Sequence, residues 1–231
     1  MPGEKRIVLD PRLSMIAELV GKCECYADIG CDHGRLGAFL LQSGCCMRAQ
    51  LTDISSPSLD KARKLIGLLG LKDRTDFCVG DGALALCGPA DCVVIAGMGG
   101  TTISEIILAG REKLGNARLI LQPNVAAPEL RKTLSMAGYR ITDERIAPDG
   151  RRHYVIIVAE PGTSEYSERQ LSVGPVLLEK MPPSLLPYAQ FRLNVAEKAM
   201  RGALSGGDEA QKKLLENEIE IWKDVCACLQ R

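Results

Sequence analysis

The chain has 231 residues, of which 46% are hydrophobic and 25% charged, a composition typical of soluble globular proteins. Lysine plus arginine and aspartate plus glutamate both total 29, so no net field attracts nucleic acid or a membrane surface, and an RNA partner would need a local patch. No apolar run approaches the roughly 18 residues of a membrane span, and the polar start does not resemble a signal peptide. We therefore expect a cytoplasmic protein that does not enter a membrane.

The most informative stretch is residues 26–37, where an apolar lead-in ends in glycine and a helix-compatible run follows. This pattern predicts the first βα turn of a doubly wound sheet. Gly30 and Gly34 do not have dinucleotide spacing, and Asp32 stands where a second glycine would face a pyrophosphate. Together with Asp28 it would repel phosphates, by roughly 4 kcal/mol for a contact at about 4 Å. The loop instead suits an ammonium and a sulfonium, which favours S-adenosylmethionine over NAD; the alternative is an ordinary turn whose aspartates cap the helix.

Helix and strand signals surround this turn. Asp10 and Pro11 have the positions of an N-cap and first residue of a short amphipathic helix. A second strand over 47–51 leads to Asp53, which lies 23 residues beyond Gly30. An acid at this offset can accept hydrogen bonds from both ribose hydroxyls of a nucleoside ligand, although a simple turn aspartate is the alternative.

Two further strands end in glycine turns. Ser56 is predicted to cap a helix that leads to a third strand over 75–79. In the turn that follows, Asp81 could reach an adenine amino group, or could serve the turn alone. The continuous apolar run over 91–95 is typical of a central parallel strand, and it ends in the glycine-rich turn 96–100.

The last part of the sheet is predicted to be antiparallel. Thr101 and Thr102 are expected to cap a helix, and a fifth strand over 118–122 ends at Asn124. A helix beginning near Pro128 separates it from two strand-like segments joined by a Pro-Asp-Gly turn, residues 139–146 and 153–159. The βα alternation up to this pair predicts an α/β fold with a mostly parallel sheet.

The composition changes after residue 160. Apolar residues at helical spacing predict one amphipathic helix over 185–204 and another after Asp208, which we expect to cap it; the Ser-Gly-Gly of residues 205–207 separates the two. Two such helices predict a helical hairpin. A packing or dimerisation element and a substrate-clamping element are equally compatible with this pattern.

Ten cysteines raise the question of metal binding or disulfides. None forms a CxxC pair or has a histidine at zinc-ligand spacing, and Cys78 and Cys92 lie within apolar strand-like runs. We therefore predict reduced cysteines that serve as small core residues, and no metal site.

Several motifs together resemble one family, the bacterial tRNA (adenine-22-N1)-methyltransferases. The matching segments are Ala27–His33, Ile95–Gly100, Leu119–Asn124, Leu130-Arg131, Gly174-Pro175 and Arg12-Leu13. The resemblance covers nearly the whole chain. One segment and one residue depart from the family pattern: Arg152–Val155 replaces a Lys-x-Tyr-Glu segment, and Asp53 replaces a glutamate.

The resemblance implies a Rossmann-like class I methyltransferase domain over 1–160 and a coiled-coil-like C-terminal helical hairpin over 161–231. It further implies that S-adenosylmethionine is the methyl donor and that the protein methylates N1 of adenine 22 in the D-arm of tRNA. Other RNA bases, a small-molecule substrate, and a non-catalytic module that binds S-adenosylmethionine or RNA are the alternatives. We expect a monomer, or a weak dimer formed through the C-terminal helices.

Site residues follow from the motifs. Donor-binding residues are expected to be Asp28, Gly30, Asp32, His33, Gly34, Asp53, Ile54, Asp81, Gly82, Gly97 and Met98. Asp32 and Asn124 are the predicted catalytic residues, because a carboxylate would stabilise the cationic methylated base and an amide can pair with an adenine edge. The predicted RNA contacts are Arg12, Arg35, Arg131 and Arg152.

Overall fold

The computed structural model describes residues 6–150, 152–204 and 209–230. The chain divides into two units, Met1–Glu165 and Tyr166–Arg231. Among the described residues, no helix is long and apolar enough to span a membrane.

The first unit is built on one seven-stranded sheet with the strand order β3-β2-β1-β4-β5-β7-β6. The strands are β1 Cys23–Ile29, β2 Cys46–Asp53, β3 Thr75–Val79, β4 Cys92–Met98, β5 Arg118–Pro123, β6 Tyr139–Asp149 and β7 Arg152–Pro161. Strands β1 to β5 are parallel, whereas β7 is antiparallel to both β5 and β6. The predicted α/β class, parallel sheet and antiparallel edge pair are confirmed.

In the described part of this unit, six helices accompany the strands. They are α1 Pro11–Val20, α2 Arg35–Gln42, α3 Ser56–Leu68, α4 Gly100–Ala109, α5 Arg111–Leu114 and α6 Ala127–Met136, with short 3-10 turns at Lys72–Arg74 and Gly82–Ala85. Helices α1 to α3 bury Ile16, Leu40 and Leu59 in one continuous core with alternate side chains of β1, β2 and β4. In the sequence, this core corresponds to apolar residues at helical spacing in the helices and to strands that are apolar on both faces.

The helix caps test the local predictions. Asp10 caps α1 as predicted, and its carboxylate accepts a hydrogen bond of 2.7 Å from the amide of Leu13. The cap of α3 is Ser55, one residue before the predicted Ser56. The prediction that Thr101 and Thr102 cap α4 is wrong: both lie inside the helix, whose N-cap is Gly99, because β4 extends to Met98 and leaves no room for an extra turn.

Cys78 and Cys87 form a disulfide, so the prediction that all cysteines are reduced is wrong for this pair. Their Cα atoms lie 6.8 Å apart, because the chain leaves β3, makes the 3-10 turn and returns beside the strand. The other cysteines of the described residues are free. Burial raises the pKa of Cys46 and Cys92 to about 12, as expected of thiols that act as core residues.

The second unit consists of helices. They are α7 Glu168–Val173, α8 Pro175–Lys180, α9 Leu185–Ala203 and α10 Glu209–Leu229. The ring of Tyr188 packs edge-on against that of Trp222 at 5.6 Å, and Arg192 donates a hydrogen bond of 2.6 Å to Glu218. Arg192 follows Tyr188 by four residues on α9, whereas its partner Glu218 precedes Trp222 by four residues on α10. The two helices are therefore antiparallel, and the predicted helical hairpin is confirmed. The predicted break at 205–207 and the Asp208 cap lie outside the described residues, and α7 and α8 were not predicted.

Candidate active site

A cavity of about 510 Å³ opens at the carboxyl ends of β1, β2 and β4, where the sheet reverses its strand order. Ligands of open α/β sheets bind at this kind of position. Among the predicted site residues, the cavity lining includes Asp28, Gly30, Asp32, His33, Asp53, Ile54, Asp81, Gly82, Gly97, Met98, Arg12 and Arg35. The structure therefore brings together residues from four separate turns and from the first turns of α1 and α2.

The turn after β1 needs left-handed backbone at three positions. Gly30, Asp32 and Gly34 have φ values of 75°, 47° and 65°. A Cβ atom at Gly30 would collide with the Met98 methyl group, so the end of the Met98 side chain, from the last residue of β4, lies directly over this glycine. Gly34 does not line the cavity; it packs closely against Ala62 of α3, so its predicted contact with the donor is not supported by its position.

Asp53 joins the first two turns. Its carboxylate accepts hydrogen bonds from the amide of Asp32 at 3.1 Å and from the amide of Ser55 at 2.8 Å. Two backbone donors hold the carboxylate in place at the end of β2, where it lines the cavity. Such a group can accept further hydrogen bonds from a diol without losing its orientation.

Asp28 is the buried acid of the site, with only 6% of its surface exposed. Burial raises its pKa to about 7, and the nearby Asp53 adds to this increase, whereas the Tyr26 hydroxyl and the Arg12 guanidinium act in the opposite direction. A bound cation beside this carboxylate would restore its ionised form.

Asp32 and His33 lie at the exposed mouth of the cavity. The His33 Nδ1 atom is 3.1 Å from the Asp32 carboxylate, and the two side chains are 49% and 68% exposed. The Asp32 carboxylate is therefore accessible to a large substrate that approaches the cavity from solvent. Asp81 is also exposed and lines the cavity, and the adjacent Gly82 lies close to Ile106 of α4.

Gln122 organises the wall formed by the β4 turn. This fully buried side chain accepts hydrogen bonds from Arg12 at 2.6 Å and from the Gly97 amide at 3.2 Å. It donates one of 3.1 Å to Asn124, which in turn donates one of 2.7 Å to the Gly97 carbonyl. Sequence reasoning placed Gln122 at the end of a strand but did not include it among the site residues; a glutamine that ends an apolar run directly before the Pro-Asn corner was the available signal.

The four predicted RNA-binding arginines have different surroundings. Arg12 lines the cavity, with its guanidinium 5.6 Å from the centre of the Tyr154 ring, and Arg35 is exposed at the rim. Arg152 is exposed at the start of β7. The prediction for Arg131 is wrong: its side chain is completely buried and pairs with the equally buried Glu144 at 2.8 Å, so it cannot reach a phosphate.

Comparisons with known proteins identify the family. Residues 9–157 match the family described as methyltransferase domain. The chain is 31% identical over 229 residues to the tRNA (adenine(22)-N(1))-methyltransferase of Bacillus subtilis, and the match covers 94% of this chain and 96% of the relative. The chain belongs to the tRNA (adenine(22)-N(1))-methyltransferase family. The resemblance inferred from the motifs is thereby confirmed.

Solved structures of this family extend the match to three dimensions. The Bacillus subtilis m1A22 tRNA methyltransferase has a TM-score of 0.86 and 28% identity, over 96% of this chain and 100% of that one. A Streptococcus pneumoniae protein solved in complex with S-adenosyl-L-methionine has a TM-score of 0.85 and 28% identity, over 95% of this chain and 100% of that one. The methyltransferase family and its fold therefore apply to the whole chain.

Proposed function

We propose that this protein transfers a methyl group from S-adenosylmethionine to N1 of adenine 22 in tRNA. The observation that carries the proposal is the acid-lined cavity at the carboxyl ends of β1, β2 and β4, in a chain of the tRNA (adenine(22)-N(1))-methyltransferase family. The cavity combines a buried carboxylate with bare glycine backbone, which fits a cationic nucleoside better than a dinucleotide.

The residues fit the parts of this donor. Asp28, the buried acid, would pair with the ammonium, and Asp53 would accept hydrogen bonds from the ribose hydroxyls. Asp81 and Gly82 would border the adenine ring together with Ile54, and Gly97 and Met98 would form the wall beside the reacting carbon. In this proposal Gly30, with a φ of 75°, shapes the turn beneath the donor, and the Met98 methyl group lies against this glycine.

The reaction needs positioning more than base catalysis. S-adenosylmethionine supplies an electrophilic methyl group, and the neutral N1 atom of adenine carries the lone pair that attacks it, so no proton has to leave first. Asp32 would stabilise the positive charge that the methylated base acquires, since its exposed carboxylate lies at the cavity mouth. Asn124, which is held by Gln122 and Gly97, would orient the base.

The tRNA would approach the cavity from its exposed mouth. A base within a helical stem must leave its stack before it can meet the donor, and cations near the cavity would hold the flanking phosphates. Arg35 and Arg152 are exposed and Arg12 lies in the cavity wall, so we propose these three as RNA contacts. With no net charge on the chain, we expect the affinity for tRNA to be modest and to fall as salt is raised.

Two broader features complete the proposal. We propose a cytoplasmic protein, as expected where tRNA is modified. We also propose a monomer or a weak dimer, with α9 and α10 as the contact surface, because Val195 and Leu214 expose 46% and 72% of their surfaces on these helices.

The proposed function predicts a specific product. Purified protein should transfer labelled methyl from S-adenosylmethionine to an unmodified tRNA transcript, with 1-methyladenosine at position 22 found by mass spectrometry. Asp32→Ala should abolish transfer, whereas Asp73→Ala, a change at an exposed aspartate of the Lys72–Arg74 turn, should leave it intact. Label at another base, on a small molecule alone, or donor binding without any transfer would refute the assignment.

A further inference from the structure

The orientation of the Asn124 side-chain amide follows from the chemistry of its neighbours. The Arg12 guanidinium and the Gly97 amide can only donate, so the Gln122 oxygen must face both of them. The Gln122 nitrogen then faces Asn124, whose oxygen accepts its hydrogen bond at 3.1 Å. The Asn124 nitrogen donates to the Gly97 carbonyl at 2.7 Å, and a carbonyl can only accept.

This chain of bonds leaves Asn124 with one unused donor and one unused acceptor. Its side-chain nitrogen has a second hydrogen and its oxygen a second lone pair, and the residue is exposed. The backbone amide of Asn124 donates to the Met98 carbonyl at 2.7 Å, and both Gly97 and Met98 line the cavity. The Asn124 amide therefore lies beside two residues of the cavity wall, and in the proposed function the reacting base meets the donor there.

We propose that Asn124, oriented by Gln122, binds the Hoogsteen edge of the target adenine. The Asn124 oxygen would accept a hydrogen bond from the N6 amino group, and its nitrogen would donate one to N7. Asparagine pairs with adenine through these two atoms in other nucleic-acid complexes. This inference rests on the proposed function and deepens it, since it names the edge by which the base is recognised.

The Hoogsteen edge is the one that the reaction leaves free. The lone pair of N1 must point at the donor methyl group, so an amide that hydrogen-bonded to N1 would block the transfer. Guanine offers acceptors at both O6 and N7, and its O6 would meet the Asn124 oxygen. Asn124 cannot turn to relieve this repulsion, because turning would set its nitrogen against the Gln122 nitrogen and its oxygen against the Gly97 carbonyl. Gln122 is therefore a positioning residue that makes the site selective for adenine.

The direct test changes one atom of the base. The tRNA carries adenosine or 7-deazaadenosine at the target position, and kcat/KM is measured with the wild type and with Asn124→Ala. For the wild type we expect the 7-deaza base to lower kcat/KM by roughly five- to 150-fold, the range for a base-edge contact. With Asn124→Ala we expect the two tRNAs to be methylated equally, within about twofold, because the N7 contact is already lost.

Equal penalties from the 7-deaza base in both proteins would overturn the proposal, as would the absence of a penalty in the wild type. Methylation of the ordinary adenosine tRNA by the wild type tests the proposed function separately. If it occurs without the N7 dependence, only the assignment of Asn124 fails; if no methylation occurs, the proposed function fails and this inference with it.

Gln122→Glu isolates the positioning role. The introduced carboxylate can still accept from Arg12 and from the Gly97 amide, but it cannot donate to Asn124, so Asn124 is free to turn. We expect the ratio between the adenosine and 7-deazaadenosine tRNAs to fall toward one, while the KM for the donor stays within about twofold of the wild type. An unchanged ratio, or a loss confined to donor KM and thermal stability, would show that Gln122 is merely structural and would overturn this part.

Discussion

The buried carboxylate of Asp28 should lower the free energy of unfolding of the ligand-free protein, and replacement of Asp28 by asparagine should restore it. The side chain is 6% exposed, and burial raises its pKa from 3.8 to about 7. A shift of about three units corresponds to roughly 4 kcal/mol between the two protonation states. We therefore expect Asp28→Asn to raise the free energy of unfolding above pH 7 by up to about 4 kcal/mol.

The pH dependence gives the sign of the effect. Between pH 3.8 and about 7 the folded protein keeps a proton on Asp28 that the unfolded chain has lost. The stability of the wild type should therefore fall as the pH rises through this window, by up to about 1.4 kcal/mol per unit, and should fall no further above it. The advantage of Asp28→Asn should be small near pH 4, increase through the window and level off above pH 7.

The assay is urea unfolding of both proteins at several values between pH 5 and pH 8, with Asp73→Asn, at an exposed site, as the matched control. Calorimetric titration with S-adenosylmethionine at the same pH values measures the affinity for the donor. Donor binding to the wild type should tighten as Asp28 ionises, and Asp28→Asn should bind weakly at every pH. A stability difference that is the same at pH 5 and pH 8 would refute the reasoning, since it could not arise from this ionisation.

Three further predictions concern packing. Arg131→Met should lower the free energy of unfolding by about 3–5 kcal/mol, because it removes the cation that pairs with the buried Glu144 carboxylate. A double replacement of both residues by methionine should recover most of this loss in urea titrations; an equally unstable double variant would argue against the pair. Gly30→Ala should weaken binding of S-adenosylmethionine in calorimetry, because a side chain at a φ of 75° strains the turn and the new methyl group displaces the end of the Met98 side chain in the cavity wall; Gly44→Ala, at a similar φ with open space around it, should bind normally. Trp222→Ala should destabilise the helices of the second unit by about 3–5 kcal/mol, seen as a lower melting point in far-UV circular dichroism; an unchanged curve would contradict the packing of this buried ring.

Local sequence signals were sufficient for the seven strands, for the longer helices and for most of the cavity, whereas the short helices α5, α7 and α8 were not predicted. The glycine turn at residues 26–37, Asp53 and the Asp81 turn each follow a strand, and parallel strands bring their carboxyl ends to one edge of the sheet. Residues far apart in the chain could therefore be placed at one edge of the sheet without coordinates, whereas the strand order comes from the structure. The family motifs added the substrate, which spacing alone does not reveal.

Only the tertiary structure decided which polar side chains face one another. Arg131 was predicted to contact RNA, but its partner Glu144 lies on another element, and only the packed structure shows that both are buried. Cys78 and Cys87 lack any pairing motif and meet because the turn between them folds back. Gln122 acquires its role from three partners on α1, β4 and the end of β5. A hydrogen bond or an ion pair depends on distances of a few ångströms between segments far apart in the chain, and periodicity in one segment carries no information about them.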